Sequence, residues 1–245
     1  MYAGINSPYY QPQPLYSWGS FSGQIRHSAS SYVESVWQGT ALKDGTHLTA
    51  ADGVVDIVLT TKQGSTRLLL SGPTSKARPA AFKRGDEILA IRLRSGVHLP
   101  FISGSELTDV EQFLDSAGGR RFWLQNNAVE FPSFNNVEAF VEKLARLDLL
   151  RRDILIEDVF AKRSRNVSLR TIQRHSIATS GLTINKLLQI KRAEQARGLL
   201  TNGITLTSIS YETGYSNPGH MTNAFKHFFG QTPKTMRTIM SNQST

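Results

Sequence analysis

The chain has 245 residues, of which 39% are hydrophobic, and this suffices for one large or two ordinary globular domains with buried cores. It contains no cysteine, so disulfides, thiolate metal ligands and thiol catalysis are excluded. The sequence has no apolar run near about 18 residues and no secretory signal at its start, so we expect a cytoplasmic protein with no membrane partner.

The net charge of +9 is concentrated in the C-terminal part of the chain. Residues 154–245 hold 12 Lys and Arg against 4 Asp and Glu, whereas residues 1–153 hold 16 against 15. A positive field on one segment attracts a polyanion, and nucleic acids are the commonest polyanions. The alternative is a basic surface that only keeps the protein soluble.

The first part of the chain has the texture of short β-strands. Residues 1–24 are rich in Tyr, Pro, Ser and Gly and are predicted to form an irregular lead-in. Between about Tyr32 and Leu93, alternating or β-branched runs are separated by turn residues, as in SYVESVW, GVVDIVLTT, STRLLLSGP and EILAIRLR. Strands at this spacing predict a small sheet or barrel. The inward-facing candidates of the last run are Ile88, either Ala90 or Ile91, and Leu93.

Helical spacing begins after about residue 95. SELTDVEQFLDSA begins at a cap candidate, Ser105, and NVEAFVEKLARLDLL continues the pattern. Such stripes pack on a sheet or form a dimer face, and core packing is the more frequent use. The apolar positions are Leu107, Val110, Phe113 and Leu114 in the first run, and Val137, Phe140, Val141, Leu144 and Leu147 in the second.

A hinge is predicted at residues 151–153, where the sequence is RRD and the charge changes. The chain therefore divides into a β-rich domain with helices, residues 1–150, and an all-α domain, residues 151–245. The predicted fold class is α+β.

Two C-terminal segments are related by a shift of 49 residues. Ser168 and Asn217 begin them, and both residue types are good helix N-caps because their side-chain oxygens accept N–H groups of the first turn. Pro218 follows at the first helical position, where its missing N–H costs nothing. A buried stripe is predicted at i, i+4 and i+7 of the second segment. The shift also aligns Ile172 with Met221 and Gly181 with Gly230, and the stripe consists of Met221, Phe225 and Phe228.

Each capped segment follows a shorter predicted helix and a tight turn. ILIEDVFAKR precedes a turn at Ser164–Val167, and TLTSISYETG ends at Gly214, a candidate left-handed C-cap. Helix, turn and capped helix form the helix-turn-helix pattern. Residues 183–200 fit one connecting helix of about 27 Å, a suitable spacer for two helices in successive major grooves about 34 Å apart.

Several short motifs follow one another along about residues 154–238. They are S-x-R-T-I-Q-R (168–174), G-L-T (181–183), R-A-x-Q-A-R-x-L-L (192–200), I-S-x-x-x-G-Y (209–215), H-M-x-x-A-F-K (220–226), F-G-Q-T-P (229–233) and Arg237. In these motifs the segment resembles the AraC/XylS family of transcription regulators. Departures from the family's usual residues are Ser176 for Phe, Met221 for Phe or Leu, Asn223 for Arg and Gly219 for Ser.

The N-terminal runs S-Y-V-E-S-V-W, A-D-G-V-V-D-I-V and S-G-P-T-S resemble, more loosely, the sensor or dimerisation region of some family members. The resemblance implies a sequence-specific regulator, an activator responding to a ligand or partner, that binds double-stranded promoter DNA with both units. It also implies RNA polymerase, a small-molecule effector and a second copy of the chain, bound through the N-terminal domain, as partners. Relatives that repair alkylated DNA use a Cys, which is absent here, so that activity is excluded.

The candidate DNA-contacting residues lie off the apolar stripes. Arg pairs with guanine, and Asn or Gln pairs with adenine, which makes Asn223 the best base-contacting candidate of the second helix. Each side chain alternatively contacts phosphate; His220 alternatively supports the turn, and Arg192 alternatively forms an internal salt bridge. The candidates are Arg170, Thr171, Gln173 and Arg174 in the first helix, His220, Thr222, Asn223 and Lys226 in the second, and Lys191 and Arg192 in the connecting helix.

No catalytic residue, metal ligand or cofactor is predicted. His27, His47 and His98 are too scattered for a metal triad, and P-loop and dinucleotide motifs are missing. Asp52 and Asp56 are effector-binding candidates, although Asp52-Gly53 is more simply a turn. Two other classes stay open: an architectural or weakly specific DNA-binding protein, and a small-barrel enzyme tethered to DNA, for which residues 25–150 show no acid/base or metal cluster.

Overall fold

The computed structural model describes residues 20–163, 166–200 and 203–242. A β-rich N-terminal region precedes an all-helical C-terminal region, which confirms the predicted α+β class. The strands are β1 (Phe21–His27), β2 (Val33–Ala41), β3 (Gly45–Thr49), β4 (Asp56–Lys62), β5 (Ser65–Ser71), β6 (Arg78–Phe82), β7 (Glu87–Leu93), β8 (Val97–His98), β9 (Glu111–Phe113), β10 (Ser116–Gly118), β11 (Arg121–Leu124), β12 (Asn127–Glu130) and β13 (Arg151–Arg152). The helices are α1 (Gly104–Leu107), α2 (Val137–Arg146), α3 (Ile154–Phe160), α4 (Leu169–Ser180), α5 (Ile184–Gly198), α6 (Leu206–Glu212), α7 (Pro218–Phe229) and α8 (Pro233–Asn242).

The main sheet is antiparallel and has the order β1-β2-β7-β4-β5-β9. It contains all four of the β-like runs predicted from sequence, as β2, β4, β5 and β7. Of the predicted lead-in, residues 21–24 belong to β1, and residues 1–19 lie outside the described residues. The sheet is accompanied by the ladders β3-β6, β8-β13 and β10-β11-β12.

Side chains alternate between the two faces along each strand. Apolar clusters cover both faces of the main sheet. On β7, Ile91 and Leu93 point into the main hydrophobic core, as predicted, together with Leu89. Ile88 and Ala90 pack on the opposite face. That face is covered by a smaller cluster of Phe21, Trp37, Ala41 and Phe82.

The first helix predicted after residue 95 is wrong in extent. Helix α1 covers only one turn and is capped by Ser103, not by Ser105. The helix ends because Thr108 is extended, and Asp109 then adopts a left-handed φ of 59°. Phe113 then lies in β9, paired with Leu69 of β5 at the sheet edge, and β10 to β12 follow. The part of the N-terminal region beyond residue 95 is therefore mixed rather than helical.

The second predicted helix is confirmed as α2. Its stripe is buried in the main core, so it packs inside the N-terminal region and is not a dimer face. Leu147, the last predicted stripe residue, lies after the helix and is exposed. The buried stripe residues are Val137, Phe140, Val141 and Leu144.

The predicted hinge at residues 151–153 is an ordered connection. Arg151 and Arg152 form β13 and pair with β8. Asp153 caps α3, because its carboxylate accepts the N–H groups of Leu155 and Ile156. Backbone pairing and a cap hold the helical region against the sheet region at this point. Within the described residues, no helix is long and apolar enough to cross a membrane.

Candidate DNA-binding surface

Helices α4 and α7 are equivalent elements, as the 49-residue shift predicts. Ser168 accepts the N–H of Thr171 at 3.2 Å, and Asn217 accepts the N–H of His220 at 2.8 Å, so both predicted N-caps are confirmed. Pro218 occupies the first turn of α7. Each helix has 12 residues and ends at a left-handed glycine, Gly181 with φ of 68° and Gly230 with φ of 70°.

The core-facing side of the two helices differs. The predicted stripe of α7 is confirmed, because Met221, Phe225 and Phe228 are buried. At the position of α4 equivalent to Phe225 stands Ser176, which is also fully buried. Its hydroxyl donates to the carbonyl of Leu182 at 2.6 Å. A hydrogen bond therefore takes the place that an aromatic ring fills in the second unit.

Each of these helices follows a shorter one. Helix α3 precedes α4, and the predicted turn between them includes residues 164 and 165, which lie outside the described residues. Helix α6 is followed by Gly214, whose φ is 77°, as expected of a left-handed glycine. Helix α5, capped by Thr183, connects the two pairs over 15 residues. This arrangement confirms the double helix-turn-helix prediction.

The two arginines of the first candidate set are available for a ligand. Arg170 and Arg174 are exposed, and neither has a hydrogen bond or ion pair with another described residue. Thr171 is half-buried, with its hydroxyl 3.0 Å from that of Ser168. The side-chain oxygen of Gln173 accepts the N–H of Ile184 at 3.4 Å, so Gln173 supports the start of α5.

The second candidate set also contains two exposed side chains and two side chains that have partners within the protein. Asn223 and Lys226 are exposed and have no hydrogen bond from their side chains to the described part of the chain. The hydroxyl of Thr222 donates to the carbonyl of Pro218 at 2.9 Å, inside the helix. The Nδ1 atom of His220 lies 3.0 Å from the Ser216 hydroxyl. His220 therefore supports the turn, which was the alternative interpretation of this residue.

Both candidates of the connecting helix have internal partners. Lys191 forms a 2.9 Å ion pair with Glu194 one turn away. Arg192 donates to the carbonyl of Gly214 at 3.4 Å, and its guanidinium lies 5.6 Å from the ring centre of Tyr215. Arg192 thereby joins α5 to the turn between α6 and α7.

Sequence reasoning missed the polar contacts that hold the first unit. His175, one residue after Arg174, lies on the inner side of α4 with Nδ1 2.6 Å from the carboxylate of Asp153, the cap of α3. Only the helical period, which turns residue 175 away from the exposed arginines, signals this role.

The carboxylates considered as an effector site have partners within the protein. Asp52 is buried and accepts from Arg92 at 2.6 Å and from the Thr74 hydroxyl at 2.9 Å, and Arg92 also pairs with Asp56. Burial raises the pKa of Asp52 to about 6, against the lowering effect of Arg92. Neither Arg92 nor Thr74 was predicted from sequence, because both contacts are made between distant strands and loops.

Burial also lowers the pKa of one of the three histidines considered as metal ligands. The pKa of His47 is lowered to about 4 by burial. The part of the chain that the structure describes contains no group of three His, Cys, Asp or Glu side chains suited to a metal ion.

Comparison with known proteins places the match in this helical region. Residues 163–239 match a family model described as a helix-turn-helix domain. A segment of 70 residues is 33% identical to the HTH-type transcriptional regulator RipA of Corynebacterium diphtheriae, covering 29% of this chain and 21% of RipA. A segment of 47 residues is 45% identical to the HTH-type transcriptional regulator GlxA of Rhizobium meliloti, covering 19% of this chain and 14% of GlxA.

Among solved structures, ToxT of Vibrio cholerae aligns over 89% of this chain and 98% of its own, with 12% identity and a TM-score of 0.43. The chain matches only about a fifth or less of the two curated relatives. Together with the geometry above, the family match identifies residues 163–239 as a helix-turn-helix domain.

Proposed function

We propose that this protein is a sequence-specific transcription regulator that places α4 and α7 in successive major grooves of promoter DNA. One observation carries the proposal: two helices of equal length, capped in the same way and joined by α5, each present exposed polar side chains that have no partner in the described part of the chain. The concentration of positive charge in residues 154–245 and the match to a helix-turn-helix family support it.

The unpartnered side chains suggest how the contacts divide. We assign base contacts to Arg174 and Asn223, because Arg suits guanine and Asn suits adenine in the major groove. We assign Arg170 and Lys226 to backbone phosphate or base contacts from the same exposed faces. The other predicted residues take supporting roles, since their polar atoms already have partners; these are Thr171, Gln173, His220, Thr222, Lys191 and Arg192.

The remaining predictions about the whole protein are part of the proposal. We propose that residues 1–150 form a sensor or dimerisation domain and that residues 151–245 form the DNA-binding domain. Activation in response to a ligand or partner, contact with RNA polymerase and a cytoplasmic location belong to the same proposal. The names of the relatives, which are transcription regulators and not enzymes, support a non-enzymatic role.

The test begins with selection of bound duplexes from a random DNA library by the full-length chain. Enrichment of a common sequence with two half-sites, bound at least about a thousand-fold more tightly than scrambled DNA at physiological salt, is the expected result. Equal affinity for selected and scrambled duplexes would instead favour an architectural, weakly specific DNA-binding protein.

Arg174→Ala tests the assignment of the first helix. Loss of a bidentate guanine contact is expected to weaken binding to the selected duplex by about 1–3 kcal/mol and to relax specificity at one base pair. Arg120→Ala, which removes an exposed arginine of the N-terminal region, is the matched control and should bind like the wild type. If both variants bind equally well and select the same sequence, Arg174 does not contact a base.

A further inference from the structure

Two N-terminal motifs that the DNA-binding function leaves unused meet the helical region directly. Residues 50–53 and 72–77 include A-D-G and G-P-T-S-K-A, and both lie where the sheet region packs on the helices. Ala50 and Ala51 belong to the same hydrophobic core as Leu187 and Phe225. The motifs therefore form part of an interface inside the chain, with residues of the helical region as its other side.

One side of this interface holds the C-terminal end of α7. The N–H of Ala51 donates to the carbonyl of Phe228 at 2.7 Å, and the N–H of Ala77 donates to the carbonyl of His227 at 3.0 Å. The last carbonyls of a helix have no intrahelical partner, so backbone amides of the N-terminal region satisfy them here. A Cβ on Gly230 would lie 2.9 Å from Leu48, which shows how closely the two regions pack.

A second contact holds the C-terminal end of α4. The Thr108 hydroxyl lies 2.9 Å from the carbonyl of Ser180 and 2.7 Å from that of Gly104. Gly104 of α1 packs directly on the end of α4: a Cβ there would lie 2.6 Å from the amide nitrogen of Ser180 and would also overlap that of Gly181. Only a residue without a side chain fits at Gly104.

The loop that contacts α7 is itself fixed by two carboxylates. Asp52 accepts from the hydroxyl and the N–H of Thr74, and Asp109 accepts from the N–H and the hydroxyl of Ser75 at 2.8 and 2.6 Å. Asp109 lies two residues after the end of α1, and Ser75 lies two residues before Ala77. The hydrogen bonds between Ser75 and Asp109 therefore connect the segment that contacts α4 to the loop that contacts α7.

Both contacts lie C-terminal to the side chains that we propose to contact DNA. Arg170, Arg174 and Asn223 lie in the N-terminal halves of α4 and α7, whereas the contacts are at residues 180–181 and 227–230. At about 1.5 Å per residue, a 12-residue helix separates its ends by roughly 18 Å. The N-terminal region therefore grips both helices without covering their DNA-contacting ends.

We propose that Ala51, Ala77, Gly104 and Thr108 form a clamp that fixes the separation and orientation of α4 and α7, so that the N-terminal region sets the half-site spacing that the protein accepts. The clamp rests on the proposed function, since it assumes that both helices bind DNA. Two binding elements held at a fixed separation act at a high effective concentration on two half-sites. Loosening the clamp lowers that advantage while each element keeps its own contacts.

Gly104→Ala in the full-length chain inserts a methyl group between the regions. Ser105→Ala is the matched control, because Ser105 is the exposed next residue of the same short helix. Binding is measured to the selected duplex, to the same duplex with one half-site scrambled, and to duplexes with one or two base pairs inserted between the half-sites. We expect Gly104→Ala to lose about ten-fold or more in affinity for the intact duplex, with little change on the scrambled one. We also expect it to distinguish the inserted spacings less sharply than the control.

Thr108→Val provides a milder variant if Gly104→Ala does not fold, since it removes only the hydroxyl donor to Ser180. Hydrogen exchange without DNA supplies a readout that does not depend on the proposed function. Exchange of the amides of Ala51 and Ala77 should rise together with that of residues 180–181 in either variant. A rise confined to residues 180–181 would show that no common clamp exists.

The outcomes separate the two proposals. If the wild-type chain selects no sequence, the proposed regulator function fails, and the exchange experiment alone decides whether the clamp exists. If the wild type binds the two-half-site duplex, and loosened variants keep its affinity and its spacing preference, the clamp does not set the spacing and this inference is wrong.

Discussion

Ser176 and Phe225 occupy equivalent positions 49 residues apart, and each is fully buried. The first unit substitutes one hydroxyl hydrogen bond, from Ser176 to the carbonyl of Leu182, for the ring that packs in the second. A serine within a helix carries no sequence signal that identifies the hydrogen-bond partner of its hydroxyl. Its role depends on the turn after Gly181, which brings the Leu182 carbonyl back to α4.

Ser176→Ala tests that hydrogen bond. The change leaves the Leu182 carbonyl buried without this donor, so we expect the free energy of unfolding to fall by about 1–3 kcal/mol. Denaturant titration followed by circular dichroism measures the change. Ser31→Ala, at an exposed serine of the N-terminal region, should stay within about 0.5 kcal/mol of wild type. A Ser176→Ala variant as stable as the control would mean that water replaces the hydroxyl.

Two titratable side chains, the buried Asp52 and the half-buried His47, give opposite pH dependences. The pKa of Asp52 is raised to about 6, mainly by burial, so its contribution to stability is full below its ordinary pKa of 3.8 and is lost as the pH rises through about 6. The pKa of His47 is lowered from 6.5 to about 4 by burial, so its contribution is present above pH 6.5 and is lost as the pH falls toward 4. Between pH 4 and 6 the two effects oppose each other.

Single variants should separate these slopes. Relative to wild type, the unfolding free energy of His47→Gln should decline more as the pH rises from 4 to 6, whereas that of Asp52→Asn should increase more over the same range. Urea titrations at four pH values in this range measure both. Ser31→Ala, at an exposed and non-titratable residue of the N-terminal region, is the control and should follow the wild-type profile. If the difference in unfolding free energy from wild type changed with pH in the same direction for both variants, the burial argument would be contradicted.

At the level of elements, the sequence predicts those features that are local. The caps Ser168 and Asn217, the stripe of α7 and the left-handed glycines depend on residues within one turn of each other, and all are present. The run around Phe113 has helical spacing, yet it forms β9 because it pairs with β5, more than 40 residues earlier. Long-range pairing of this kind leaves no periodic signal in the shorter run.

The glycines that end the helices provide an element-scale prediction. Gly181 and Gly214 both have left-handed φ values, 68° and 77°, so alanine at either costs about 1–2 kcal/mol in backbone strain. Among the residues that the structure describes, a Cβ on Gly214 would have no neighbour within 4 Å, whereas one on Gly181 would overlap Thr108 and lie 2.5 Å from the carbonyl of Gly104. Gly181→Ala should therefore lower the unfolding free energy by clearly more than Gly214→Ala in parallel denaturant titrations. Equal losses would indicate that the N-terminal region moves away from Gly181 to accommodate the methyl group with no further loss of unfolding free energy.

For the molecule as a whole, the sequence predicts which polar side chains lie off the apolar stripes of the helices, but it does not predict which of them remain available to a ligand. The side chains of Arg174 and Asn223 have no partner among the described residues, whereas Gln173 of α4 contacts Ile184 of α5, and Arg192 of α5 contacts Gly214 in the turn after α6. Which polar atoms are already satisfied depends on how the helices pack, and one helix at a time does not contain that information. The contacts between the sheet region and the ends of α4 and α7 were missed for the same reason.

Salt dependence tests the electrostatic part of binding by the whole protein. Each phosphate contact contributes about one unit to the slope of log affinity against log salt. Lys226→Ala is expected to make that slope shallower by about one unit while leaving the selected sequence the same. Lys43→Ala, at an exposed lysine of the N-terminal region, should leave the slope unchanged. An unaltered slope in Lys226→Ala would assign Lys226 to a role other than phosphate contact.

Arg237 of α8 donates to the carbonyls of Leu200 at 3.1 Å and Ile204 at 2.6 Å, and so holds the connection between α5 and α6. Domains are synthesised from the N-terminus at roughly 5–20 residues per second. On the ribosome, the partners of α4 emerge well before Arg237 does. The partners of α4 all precede α5 or lie at its start, whereas the connection between α5 and α6 is completed only when α8 has been synthesised.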